Sequence, residues 1–282
     1  MKPAAFKYVR ADSIEEALSV LARYGEDVRV VAGGQSLGAL LNMRIVTPPI
    51  VLDINRIFVL SKIESGRTVM TGAMVRQADA LSSNAVRRDV GLLAQALPHV
   101  GHYQTRNRGT LGGSVAHADP SAEIPLVLAT LGGEIELRSA RRVRRVAAKQ
   151  FFRSALVTSR GGDELITALH WPRASSDMET AFFEFAVREG DFAIVAVACA
   201  FERRAGRMWL GFGGCGDVPQ VVEVSASSGT NTNAVEEIAR NLSKQLDYRS
   251  DLLASADYRR AVATVLARKA MIASIEKVRA YA

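Results

Sequence analysis

Two glycine-rich segments, AGGQS at residues 32–36 and TLGGS at 110–114, constrain this chain more than any other feature. Paired glycines have no Cβ, so the backbone can turn through positive φ and lie against a neighbouring group. Such a segment is useful only between stiff flanks, and for the first one the flanks are legible. Residues 28–32 form a β-branched run that reads as a strand, and Leu37, Leu40, Leu41 and Met43 beyond it give a brief helical turn.

The surrounding pattern extends this strand–loop–helix unit. Ser13 and Glu16 form an S-x-x-E capping box, followed by Ile14, Ala17, Leu18 and Leu21 at helical spacing and by Gly25 as a stop. A strand at 50–54 closes a βαβ-like lobe of roughly sixty residues, too small to bury a core by itself. The next region opens with a strand at Thr68–Gly72 and continues through a helix carrying Leu92, Leu93, Ala96 and Leu97. It then reaches the stretch 102–120, whose composition predicts a loop. Strands are expected at Glu134–Arg138 and 165–169, then at 182–187, 192–201 and 207–212. Helices at 233–245 and 258–275 finish the chain, the second with Val262, Val265, Leu266 and Ala270 on one face. Strands followed by helices indicate an α+β C-terminal part.

A glycine turn between strand and helix can aim consecutive backbone N–H groups at an anion. Alone, AGGQS is equally well a tight turn with a serine cap. Two such loops in different lobes could hold opposite parts of one long ligand, as a dinucleotide with a central pyrophosphate requires. Two decoys lie nearby. GFGGCG at 211–216 fits G-x-G-x-x-G, but Asp217-Val218-Pro219-Gln220 follows without helical periodicity, so it reads as a strand end with a bulge. GQSLG at 34–38 fits the nucleophile elbow of serine hydrolases around Ser36, yet it follows a single strand, and none of the histidines His99, His102, His117 and His170 is marked as a triad partner.

Charge and cysteine usage narrow the classes further. The net charge of +7 could suit nucleic acid, but the arginines are scattered. Their dense run, Arg141-Arg142-Val143-Arg144-Arg145, lacks interleaved aromatics for base stacking and reads as a solvated hairpin or docking surface. Cys199 and Cys215 show no ligand spacing, so no iron–sulfur site, zinc site or disulfide is expected, and Cys199 reads as a core residue. No apolar run is long enough to span a bilayer, and a cytoplasmic protein is expected.

The ordered series AFKYVRADSIEEALSVLARYG, VVAGGQSLGALLNMR, VLDINRI, VGHYQTRNRGTLGGSVAHADPSAEIP, EGDFAIVAVA and LGFGGCGDVP covers nearly the whole chain. It resembles the medium, FAD-binding subunit of the molybdenum hydroxylases, which include aerobic carbon monoxide dehydrogenase, xanthine dehydrogenase and N-heterocycle dehydrogenases. The resemblance implies an α+β fold: a two-lobed FAD-binding domain of the PCMH type at 1–176, with lobes at about 1–57 and 58–176, then an α/β C-terminal domain of strands and helices at 177–282. It assigns FAD contacts to Ala32, Gly33, Gly34, Gln35, Ser36 and Leu37, to Thr110, Leu111, Gly112, Gly113 and Ser114, and to Asp119, Glu123 and Phe192. Relatives often carry His and Tyr where this chain has Glu189 and Phe192, so ring stacking is retained here without the hydroxyl. Arg106 and Asn107 are expected to position the second loop, and His117 to be structural; no catalytic residue and no metal ligand is assigned.

By the same resemblance the chain passes electrons from two [2Fe–2S] clusters in a small iron–sulfur subunit to an external acceptor. A large molybdopterin subunit oxidises the substrate and so supplies those electrons, within a heterotrimer or a dimer of heterotrimers and without nucleic acid or integral membrane contact. The wording of the two loop segments is closest to relatives acting on N-heterocyclic aromatics.

Overall fold

The computed structural model describes residues 2–227 and 230–280. Its elements run β1 (Lys7–Arg10), α1 (Ile14–Tyr24), β2 (Val28–Val31), α2 (Leu37–Asn42), β3 (Ile50–Asp53), β4 (Ile63–Ser65) and β5 (Thr68–Gly72). There follow α3 (Gln77–Ser82), α4 (Asn84–Asp89), α5 (Gly91–Ala96), α6 (Tyr103–Arg108), α7 (Leu111–His117) and α8 (Glu123–Thr130). Next come β6 (Glu134–Arg138), β7 (Val143–Ala147), α9 (Ala148–Phe151), β8 (Phe152–Ser154), β9 (Val157–Thr158) and β10 (Leu165–Pro172). The last group is β11 (Met178–Phe185), β12 (Val195–Glu202), β13 (Arg207–Gly213), β14 (Gln220–Ser225), α10 (Thr232–Ser243) and α11 (Ala256–Ala280). Among the described residues no helix is long and apolar enough to cross a membrane.

Three sheets carry the architecture. The first is parallel, in the order β1-β3-β2, with α1 as its crossover. Helix α1 starts where the capping residues predict: Ser13 Oγ accepts the Glu16 N–H at 3.1 Å, and the Glu16 carboxylate reaches back to the Asp12 N–H at 2.8 Å. Gly25 at φ +51° ends the helix by donating its N–H to Leu21. The second sheet, β4-β5-β10-β6-β7, buries one face under α5, α7 and α8. Arg141 and Arg142 form the turn of its β6–β7 hairpin.

The third sheet is the antiparallel meander β11-β12-β13-β14, and alternation along β12 divides its side chains between two cores. Ala196 and Ala198 complete the core around α8, whereas Val195, Val197, Cys199 and Phe201 pack beneath α10 and α11. Small residues on the first face let α8 come close: an ideal Cβ on Gly211 would fall on the Thr130 hydroxyl, and one on Gly213 would lie 3.0 Å from Leu126. Since all eight residues of α8 are buried, this contact fixes the helix that follows the second glycine loop.

The structure departs from the sequence pattern in several places: the strand expected at 182–187 is β11 at Met178–Phe185, and β1, β4, β7 and β14 are strands that the pattern does not mark. Residues 102–120 are not a loop but contain α6 and α7, because Thr110 Oγ1 caps α7 through the Gly113 N–H at 3.0 Å. A composition count treats that threonine as a turn former. The strand expected from 192 begins at Val195, leaving 186–194 as an irregular connection. GFGGCG does end a strand, but β13 pairs with both neighbours without a register shift, so there is no bulge.

Candidate functional site

The first glycine loop leaves β2 and enters α2 with its backbone donors free. Among the described residues, the N–H groups of Gly33, Gly34, Gln35 and Ser36 meet no protein acceptor. Gly33 is buried, so its N–H is a donor that needs a partner. Gly34 turns the chain at φ +73°. The Ser36 hydroxyl makes no capping bond. Ser36 itself sits at φ −95°, ψ −53°, an unstrained helical conformation rather than the sharp strained turn of a nucleophile elbow.

The second loop is arranged differently. Leu111 N–H donates to Val75 O and Gly112 N–H to Ala73 O, both at 3.0 Å, while Ser114 N–H donates to Thr110 O at 3.1 Å. With Gly113 N–H held by Thr110 Oγ1, every amide from 111 to 114 is already paired. An ideal Cβ on Gly112 would stand 2.5 Å from Ala73 Cβ, so this glycine serves close packing. The expectation that both loops offer the same amide cradle is therefore corrected: the second loop lacks free amides because its residues form the capped first turn of α7.

The two loops are nonetheless neighbours. A Cβ on Gly33 would overlap the Arg108 carbonyl and lie 2.9 Å from the Gly109 Cα, immediately before Thr110. Asn55 and Arg76, absent from the sequence-based site, tie the pair together. Asn55 Nδ2 donates to Ala32 O and Arg76 Nη2 to Asn55 Oδ1, both at 2.8 Å, and Arg76 Nη1 donates to the Arg108 carbonyl. Asp53 Oδ1 orients Asn55 by accepting its amide at 2.6 Å. Neither residue carries a local sequence signal, since each acts through a partner more than twenty positions away.

Beyond α7 the chain turns at Ala118, φ +52°, whose carbonyl accepts the Leu156 N–H at 3.0 Å. Asp119 Oδ1 then accepts the Ser121 N–H at 2.8 Å. Two groups of the C-terminal part grip this segment: Gly214 N–H donates to Pro120 O at 2.7 Å, and Arg249 Nη2 to Ser121 Oγ at 3.2 Å. The decoy motif GFGGCG thus serves the site through packing. Glu123 is 6% exposed, and burial pushes its carboxyl up to about 7, with the Asp119 charge adding. Opposite it on β11, burial and then the Glu123 charge push Glu184 up to about 8. The Glu184 Oε2 atom is buried with no hydrogen-bond partner among the described residues.

Phe192 lies in the 186–194 connection and is 61% exposed. The same connection abuts the cap of α6, since an ideal Cβ on Gly190 would lie 2.5 Å from His102 Nδ1. Arg106 holds the approach to the second loop by donating to Pro98 O, Val100 O and Gly101 O. The donor set fits a dinucleotide in one respect above all: unpaired amides around a buried glycine suit a pyrophosphate. Cys199 and Cys215 are both buried, the first accepting the Ser274 hydroxyl at 3.3 Å, and burial raises the Cys215 thiol to about 12.

Comparison with known proteins converges on one family. Residues 4–174 match the model described as FAD binding domain in molybdopterin dehydrogenase, and residues 180–274 match the CO dehydrogenase flavoprotein C-terminal domain. The chain is 36% identical over 278 residues to the glyceraldehyde dehydrogenase medium chain of Sulfolobus acidocaldarius, covering 96% of this chain and 98% of that one. It is 35% identical over 280 residues to the nicotine 6-hydroxylase medium subunit of Paenarthrobacter nicotinovorans, with the same coverage of 96% and 98%. Among solved structures it is similar to carbon monoxide dehydrogenase from Hydrogenophaga pseudoflava lacking the Mo-pyranopterin moiety of its cofactor. That match has a TM-score of 0.93 at 28% identity and covers 97% of this chain and 98% of the other.

Proposed function

Because this chain belongs to the FAD-binding subunits of the molybdenum hydroxylases, an oxidoreductase family whose cofactor in this subunit is FAD, we propose that it is the electron-relay subunit of such a complex. In this reading it receives electrons from two [2Fe–2S] clusters in a small partner and delivers them to an external acceptor, while a large molybdopterin partner oxidises the substrate. Bound FAD supplies the chemistry, since it exchanges electrons both singly and in pairs.

The observation that carries the reading is the set of unpartnered amides at Gly33, Gly34, Gln35 and Ser36 beside a second loop with its own hydrogen bonds complete. The first loop, with Ala32 and Leu37 at its ends, would bind the pyrophosphate. Thr110, Leu111, Gly112, Gly113 and Ser114 would form the wall behind it, with Asp119 and Glu123 toward the sugar and ring and Phe192 against the ring. Asn55 and Arg76 would orient both loops through their hydrogen bonds to Ala32 and Arg108. Burial raises the carboxyls of Glu123 and Glu184 to about 7 and about 8, and neither is ion-paired among the described residues.

The naming of the relatives as medium chain and medium subunit supports an assembly with large and small partners, which we take to be a heterotrimer or its dimer. Relatives at nearly equal identity carry the names of an aldehyde dehydrogenase and a nicotine hydroxylase, which fits substrate selection by another subunit. For the complex itself we favour an N-heterocyclic aromatic. Expression of the full chain should give a yellow protein that releases FAD on denaturation and copurifies with a cysteine-rich iron–sulfur partner when the two are coexpressed. A colourless chain that takes up no added FAD would refute the binding site, and a complex that oxidises aldehydes but no N-heterocycle would refute the substrate.

A further inference from the structure

An arginine inside the second core holds two segments of the C-terminal part that lead to the candidate site. Arg259, on the first turn of α11, is 1% exposed. Its Nη1 donates to Ile194 O at 2.5 Å and to Gly214 O at 2.8 Å, and its Nη2 donates to Asp251 Oδ2 at 2.6 Å. Asp251 is held in turn by the N–H groups of Leu253 and Ala254 on its other oxygen. Arg259 therefore lies between a fixed carboxylate and two backbone carbonyls from separate segments.

Both segments lead to the site. Gly214 takes Arg259 on its carbonyl and gives its own N–H to Pro120 O, between Asp119 and Ser121. It can do so only as glycine, at φ +74° with an ideal Cβ 2.5 Å from Ile194 O. Ile194 stands two residues after Phe192 and anchors the end of the 186–194 connection, its N–H bonded to Phe185 O at 2.8 Å. A parallel link runs from Cys215 O to Arg249 N–H at 2.8 Å, and from the Arg249 side chain to Ser121. The pair is buried on the arginine side alone, Asp251 being partly exposed; burying a guanidinium is a poor source of net stability compared with apolar packing, and its best-attested use is to specify one arrangement. The Nε of Arg259 is buried without an acceptor among the described residues, which is a further cost that packing alone does not explain.

We propose that Arg259 is a positioning residue for the flavin: through Gly214 and Ile194 it sets the place of the 118–123 segment and of the connection bearing Phe192. This rests on the assignment of the flavin site above. Among the described residues no hydrogen bond joins either segment to the first loop, so Arg259 contributes alignment from outside the glycine-loop wall.

The test uses the full-length chain, freed of flavin and titrated with FAD at a temperature where every variant is folded. Arg259→Met should weaken FAD by about tenfold, the loss of charge-assisted hydrogen bonds to backbone, and should change the visible circular dichroism of the flavin that does bind. Arg259→Lys should recover part of both, and Asp251→Asn should give about a threefold loss by releasing the guanidinium. Leu266→Ala, a cavity in the same core, is the control for stability alone: it should lower the melting temperature at least as much yet leave affinity and dichroism within about twofold. If Arg259→Met does not fold, Asp251→Asn and Arg259→Lys probe the same linkage from its two sides. Wild-type affinity in Arg259→Met, or in that reserve pair, overturns the proposal, as does an equal loss in Leu266→Ala. Gly33→Val separates this from failure of the site assignment, because a Gly33→Val chain with full FAD would place the flavin elsewhere.

Discussion

The two glycine loops look alike in sequence and differ in what their backbones are doing. AGGQS leaves its amides open and carries its positive φ at Gly34, whereas TLGGS has every amide from Leu111 to Ser114 paired and none of these residues at positive φ. Glycine has two distinct uses here: in the first loop it frees donors and permits contact with Arg108, in the second it lets α7 pack on Ala73. A glycine-rich motif reports the absence of a Cβ, and only the hydrogen bonds around it tell whether a ligand or the protein fills that space.

The largest effect should follow a change that strikes both loops at once. Valine at Gly33 would place a side chain against the Arg108 carbonyl and the Gly109 backbone, neither of which is a flexible end. We expect FAD affinity to fall by more than about 100-fold, with a melting temperature lowered by the forced separation of the loops. Flavin content after purification reads the first, calorimetry of the apo chain the second. Valine at Gly112 should invert that order of effects. Its clash is with Ala73, so the apo chain should lose about 1–3 kcal/mol of stability, with flavin lost in proportion to unfolding. A Gly112→Val chain that melts normally but binds no FAD would make the second loop a ligand cradle after all.

Smaller changes sharpen the same contrast. Thr110→Ala removes the cap of α7 and should cost about 0.5–2 kcal/mol in stability, with FAD affinity changed less. Ser36→Ala should do the reverse, weakening FAD by a few-fold, roughly one neutral hydrogen bond, at unchanged melting temperature because Ser36 caps nothing. If both variants moved stability and affinity together, the division of labour between the loops would fail.

The same distinction explains what the sequence could disclose. Periodicity located α1, most of the longer sheet strands and the final helices because each depends on a repeating burial pattern within a few residues, whereas β1, β4, β7 and β14 went unread. The cap at Thr110 lay inside a stretch rich in turn formers, so its helices were hidden by composition. Phe192 was legible as an aromatic, but its 61% exposure and irregular backbone were not, because they depend on where β12 begins. Asn55, Arg76 and Arg259 were beyond reach, since their meaning lies in carbonyls 23, 32 and 45 to 65 positions away. GFGGCG was set aside as a nucleotide motif, yet its glycines let α8 approach and hold Pro120.

The gentlest test of the contrast concerns the acids beyond the second loop. Glu123 and Glu184, raised from an ordinary 4.5 to about 7 and about 8, bind protons in the folded chain that an unfolded chain has released by pH 6. Because the folded state holds more protons between about 4.5 and 8, their contribution to stability is complete below that window and is lost as pH rises through it. The melting temperature of the apo chain should therefore decline by a few degrees from pH 5 to 8, and Glu184→Gln should flatten the decline, since glutamine stays neutral in the same buried place. The first loop has no such group, so Ser36→Ala should leave the slope untouched. A Glu184→Gln chain with the wild-type slope would show that the pair is hydrated and ionised, and that the wall behind the second loop is open to water.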